Sequence, residues 1–222
     1  MAELTFDPID WRNSPFNYPG MVKVPVIPDG SSLLHSIAAG YFTPYRYRKY
    51  SDGTPFDRSA FIINLRSDLA DKLNSPVNPA IETSPTYYDI LGGGALKELG
   101  LRNQKFSIES LQATLKSTRP LGPIFFEYIG DSVNKDLYFL DEKEKDVFSI
   151  ENLDEHMVHK GRDSIVLLYN QTYVNLVGIC TRKIGVKTLF SPDHPFIQAI
   201  KGRIKNRSVL QTEKTQEKNS NE

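Results

Sequence analysis

Residues 163–181, DSIVLLYNQTYVNLVGICT, constrain the fold more than any other stretch of the chain. DSIVLLYN is an almost continuous apolar run, the pattern of a central strand buried on both faces. QTYVNLVGICT reads as a second strand reached through a very short turn. Upstream, DLYFLD and VFSI flank the charged turn EKEKD, and the four strands together predict a meander. The helical patterns lie mostly earlier. Helices first, then a small, mostly antiparallel sheet, give the α+β class.

The helical part opens with MVKVPVI, a short strand whose Pro25 predicts a sheet edge. A turn at Asp29-Gly30 then feeds a helix from about Ser32 to Phe42. YFTPYRYRKYSDGTPFD reads as a turn-rich connector. In RSAFIINLRSDLADKLN, residues Ile62, Leu65, Leu69 and Leu73 recur at helical spacing, with Asp57 or Ser59 as the cap. Residues 74–104 hold Pro76, Pro79, Pro85 and Gly92-Gly93-Gly94. They lack the Gly-Lys-Ser/Thr ending of a phosphate-cradling loop and read as loop. SIESLQATLKS is a short helix with Ile108, Leu111 and Leu115 inward, and GPIFFEYIGDSVN is another with Pro123 in its first turn. SPDHPFIQAIKGRI ends in a short helix.

This predicts three regions: an extended arm over residues 1–20 that packs by Trp11, Phe16 and Tyr18, one domain over 21–206, and a polar tail over 207–222 expected to be disordered free in solution. At 222 residues one core is the default. Lys plus Arg and Asp plus Glu are each 27, so the chain lacks the positive excess of a nucleic-acid binder. No apolar run reaches the roughly 20 residues of a membrane span. The N-terminus lacks the pattern of a signal peptide. Cys180 is the single cysteine, which excludes a disulfide framework or multi-cysteine zinc site and predicts a reducing compartment. No cofactor and no metal are expected.

The stretch VPVIPDGSSLLHSIAAGYF places Ser31 and Ser32 where a fold presents a nucleophile, at a turn entering a helix. PDGSSLLHSI is similar to the Asp-Gly-Asn-Cys-Leu-Phe nucleophile motif of the ovarian-tumour (OTU) cysteine deubiquitinases. DSIVLLYNQTYVNLVGI looks like the closing hairpin of that family, which carries its general base. Residues 107–141 and SPDHPFIQAIKGRI resemble the middle and C-terminal segments of OTU-like proteins of large DNA viruses. The resemblance runs over roughly residues 22–205, and the order of its four segments is more specific than any one of them. It implies a papain-type OTU-like fold, with helices packed on the small sheet.

Asp29, Gly30 and Leu33 match the first motif, but the nucleophile position holds Ser32 and the preceding one Ser31. In the hairpin the resemblance puts Tyr173 at the histidine and Asn175 at the orienting acid or amide. A register one residue earlier puts Thr172 at the histidine. OTU-type catalysis needs a thiolate made by a neighbouring imidazole. A serine hydroxyl needs a base during attack; a phenol, neutral near pH 7, and an amide are not bases. The expectation is a vestigial site at Asp29, Ser32, Tyr173 and Asn175, with Ser32 capping its helix instead.

Other chemistry-bearing residues read as structural. Cys180 is a small buried hydrophobe. His156 and His159 lack the spacing and internal Glu of a metalloprotease motif. His35, one turn after Ser32, is not where the family keeps its base. His194 belongs to a turn. YRYRKY, residues 45–50, mixes bases and tyrosines as single-strand binders do, but reads as a solvated loop. The implied function is therefore protein binding by an inactive OTU-like chain, as a virion or minor capsid component. A ubiquitin-binding decoy, or a deubiquitinase with an atypical site, is the alternative. The implied location is the virion and host cytoplasm if the chain is viral, and otherwise the cytoplasm. Nucleic acid and membrane are not expected partners.

Overall fold

The computed structural model describes residues 6–148, 159–170, 173–181 and 185–219, with side chains to residue 207. The fold is α+β: among the described residues there are one mixed, seven-stranded sheet and eight α-helices. The strands are β1 (Asp7–Pro8), β2 (Met21–Val24), β3 (Asp136–Asp141), β4 (Asp146–Val147), β5 (Ser164–Tyr169), β6 (Val174–Thr181) and β7 (Gly185–Lys187). Their order is β1-β2-β6-β5-β3-β4, with β7 also on β6.

The helices are α1 (Ser32–Tyr41), α2 (Thr43–Tyr47), α3 (Arg58–Lys72), α4 (Tyr87–Ile90), α5 (Ala95–Arg102), α6 (Ile108–Lys116), α7 (Phe126–Val133) and α8 (Pro195–Asn219). Side chains alternate across each strand. Leu137, Phe139, Ile165, Leu167, Val174 and Leu176 face α1, α3, α6 and α7. Tyr138, Leu140, Val166, Leu168 and Val177 face the other way, onto Trp11, Phe16 and the first half of α8. The sheet is thus covered on both faces, which is why β5 is apolar along its length.

β5 is central, as its sequence predicts. The meander is corrected, because β3 and β5 pair in parallel while the other strand pairs are antiparallel. The buried carboxylate of Asp136 explains the return to a parallel start. It accepts from the amides of Lys160, Gly161 and Arg162 and from Arg162 Nε at 2.8–3.1 Å, pinning the incoming chain beside the first residue of β3.

Pro25 does not mark an edge: β2 has β1 and β6 on its two sides and simply stops before the proline. The connector after α1 holds the short α2, and the loop read over 74–104 contains α4 and α5. A Thr86–Asp89 capping box starts α4, and Gly94, with φ of 86°, precedes α5. Asp57, not Ser59, caps α3. The arm packs Trp11 and Phe16 into the core and adds two residues to the sheet. α8 is longer than the short helix predicted: its backbone continues to Asn219, into the segment read as a polar tail. Arg203 and Arg207 tie it to Asp146. Among the described residues no helix is long and apolar enough to cross a membrane.

Candidate functional site

Pro28-Asp29-Gly30 turns the chain from β2 into α1, and the turn is held from within. Asp29 Oδ1 accepts the Ser31 amide at 2.7 Å, and the Asp29 carbonyl accepts the Ser32 amide at 3.0 Å. Gly30 is required by close approach: a Cβ there would lie 1.8 Å from the Thr118 carbonyl oxygen. Arg66, 3% exposed on α3, locks this contact. Its guanidinium donates to Gly30 O, Ser31 Oγ and Arg119 O at 2.8 Å, to Leu115 O at 3.0 Å and to Thr114 O at 3.5 Å.

Ser32 stands at the first position of α1, facing the start of β6. Its hydroxyl accepts the Val174 amide at 3.0 Å. One turn on, Ser36 donates to the Val174 carbonyl at 2.9 Å. The expectation that Ser32 caps α1 is therefore corrected: its oxygen serves an amide of the sheet, and Ser31, the residue at the cap position, makes no side-chain cap bond. A cavity of about 110 Å³ opens beside Ser32, between Gly30, Leu121 and Gly122 on one side and Tyr169, Tyr173 and Val174 on the other.

Of the four predicted site residues, Asp29 and Ser32 share the turn, and Tyr173 lines the same cavity as Ser32. Tyr173 is anchored through its amide, which donates to Asn170 Oδ1 at 2.9 Å. Asn175 is not brought to Ser32. It pairs with Leu168 across β5, on the face that meets Trp11 and α8, while Val174 faces α1. Thr172, the alternative histidine position, lies outside the described residues, as does His156.

His35 is 2% exposed. Its Nδ1 meets the Tyr45 hydroxyl, and its Nε2 lies 3.3 Å from Asp29 Oδ2. Burial pushes the Tyr45 phenol up to about 12, so it keeps its proton and donates it to Nδ1. This network assigns the proton of the neutral ring to Nε2, from which it is donated to Asp29. Burial also holds His35 below the usual imidazole value, against the raising effect of Asp29.

The remaining candidates lie away from this cleft. His159 stacks on Tyr138 at 3.9 Å and donates to the Leu137 carbonyl at 3.2 Å. His194 Nδ1 accepts the Phe196 amide at the start of α8. Cys180 lies six residues along β6 from Val174, about 20 Å at ~3.3 Å per residue, and is half-buried. YRYRKY is split: Tyr45 is core and Arg46 half-buried, whereas Tyr47 and Tyr50 are exposed. Among the described residues no three His, Cys, Asp or Glu side chains cluster as metal ligands.

Arg66 and Ser36 carry this site and were not singled out in the sequence. Arg66 had a signal: it interrupts the apolar face of α3 between Ile62 and Leu69, where a charge stays only if it has buried partners.

No family model matches the chain, and no curated protein matches it. Among solved structures, an ovarian tumor (OTU) domain in complex with ubiquitin is similar over 83% of this chain and 83% of that one, with 16% identity and a TM-score of 0.43. The OTU domain of OTUD1 is similar over 71% of this chain and 85% of that one, with 12% identity and a TM-score of 0.41.

Proposed function

We propose that this chain is a catalytically inactive OTU-like protein that works by binding other proteins. The observation that carries the reading is the Ser32–Val174 bond. The atom at the nucleophile position accepts a backbone amide at 3.0 Å, and the imidazole on the same helix is bonded to Asp29 and Tyr45. The amides of Ser31 and Ser32, which could otherwise stabilise an oxyanion, are donated to Asp29. A hydroxyl without a base is a poor nucleophile.

The partner class we favour is a virion or minor capsid component, on the resemblance of residues 107–141 and 191–204 to OTU-like proteins of large DNA viruses. Purified virions containing the chain at a fixed ratio to the capsid protein support this, and virions lacking it rule it out. A second reading, a ubiquitin-binding decoy, is favoured by the 110 Å³ cavity beside Ser32. An NMR titration with ubiquitin tests it: shifts at Gly30, Gly122 and Tyr173 support a decoy, and unmoved resonances at millimolar ubiquitin exclude one.

A further inference from the structure

We propose that Arg46 and Arg58 form a carboxylate-binding site separate from the Ser32 cleft. Both side chains line one cavity between α1, α2, β2 and β6, with Thr188 on its wall. Arg46 is fixed by Nε to the Ala39 carbonyl at 2.9 Å and by Nη2 to the Gly40 carbonyl at 2.7 Å, and also reaches the Thr188 hydroxyl. Arg58 is fixed by Nε to the Tyr45 carbonyl at 2.6 Å and by Nη2 to the Arg46 carbonyl at 2.9 Å, and lies over the Tyr45 ring at 4.9 Å.

Every one of these acceptors is neutral. Among the described residues neither guanidinium has a carboxylate within ion-pair distance, and burial is the largest influence on both, pushing each below its ordinary value. Two partly desolvated cations facing one cavity attract an anion. Around them the segment 45–58 carries four basic and two acidic residues. The other walls, Val24, Val26, Ala39 and Leu176, are apolar, the usual composition of a pocket that orients one polar group.

Size and shape select the anion. The cavity holds about 30 Å³, against the ~10–15 Å³ that one water needs. That admits the head of a carboxylate but not a whole phosphate. With Nε and Nη2 of both arginines held by protein oxygens, the Nη1 groups are left to donate to the carboxylate oxygens. The carboxylate belongs either to a small free acid or to an Asp or Glu side chain of a partner, entering past Pro25 and Val26.

The test is an NMR titration of the full chain, following the arginine Nε–H resonances. Sodium acetate replaces sodium chloride at constant ionic strength, with sodium phosphate in a parallel series. The expected result is a saturable shift of Arg46 and Arg58, with a dissociation constant in the millimolar range, while Arg66 stays in place. An acetylated, amidated Val-Glu-Val peptide that binds more tightly than acetate assigns the site to a partner's side chain, and one that binds more weakly assigns it to a free acid. Arg58→Gln should abolish the shift. Because that change also loosens α2, Val26→Glu is the second variant. A carboxylate at the rim should raise Tm and remove the acetate response. No saturable shift, equal shifts with phosphate, or an acetate response that survives Val26→Glu would overturn the proposal.

Discussion

The Ser32 hydroxyl accepts the backbone amide of Val174 at 3.0 Å, joining the first residue of α1 to the first residue of β6. With the Ser36 hydroxyl on the Val174 carbonyl, two side chains four residues apart on one helix face hold both polar groups of a single residue. The Ser32 and Ser36 side chains thus join helix to sheet.

Removing that hydroxyl should therefore cost stability. Ser32→Ala leaves the buried Val174 amide without its partner, a loss of about 1–3 kcal/mol. Urea denaturation should show a lower midpoint with an unchanged slope. Because Ser32 and Ser36 share one peptide segment, the double Ala variant should depart from additivity. An unchanged midpoint for Ser32→Ala would mean the bond contributes nothing.

Arg66 should tolerate even less. Lysine cannot reproduce a planar donor set directed at four carbonyls and a hydroxyl, so Arg66→Lys should lose more than about 3 kcal/mol. At this chain length that is a fall of roughly 6–12 °C in Tm. Calorimetry reads it directly, and a drop of a degree or two would show that the clamp is dispensable.

The buried His35 and the half-buried His159 give the protein an acid-side weakness. Burial is the first cause in each case, and it lowers both His35 and His159 from 6.5, the value for the unfolded chain. The native state thus binds fewer protons than the unfolded one, and stability rises with pH through this range. The contribution is complete above about pH 7 and is lost progressively as the pH falls below the ordinary imidazole value. The urea midpoint should drop over that interval, and the two imidazoles should titrate below 6.5 by NMR. Titration at or above that value would reverse the sign.

The sequence made the strands legible where burial is two-sided. DLYFLD and DSIVLLYN are apolar because both sheet faces are covered, and Ile62, Leu69 and Leu73 marked α3 by period alone. Elements stabilised by contact rather than pattern were not legible. α4 is four residues held by a Thr86–Asp89 box inside a run punctuated by Pro and Gly. The parallel β3–β5 pairing depends on where Asp136 catches the returning chain, which no local pattern encodes. At the site, the turn was readable from Asp29 and Gly30, but the use of Ser32 was not. A serine at a helix start ordinarily serves its own helix, and only the approach of β6 gives its oxygen a different donor. The placement of Asn175 on the far face likewise follows from the pairing with Leu168, a register that sequence spacing left open.

We propose a role for Ser32 as a structural acceptor and not a nucleophile. Its most direct test is the incubation of the purified full-length chain with di-ubiquitins of every linkage, beside the Ser32→Ala variant. No mono-ubiquitin is expected from either protein over a day at neutral pH. Cleavage of any linkage by the wild type that Ser32→Ala abolishes would contradict it.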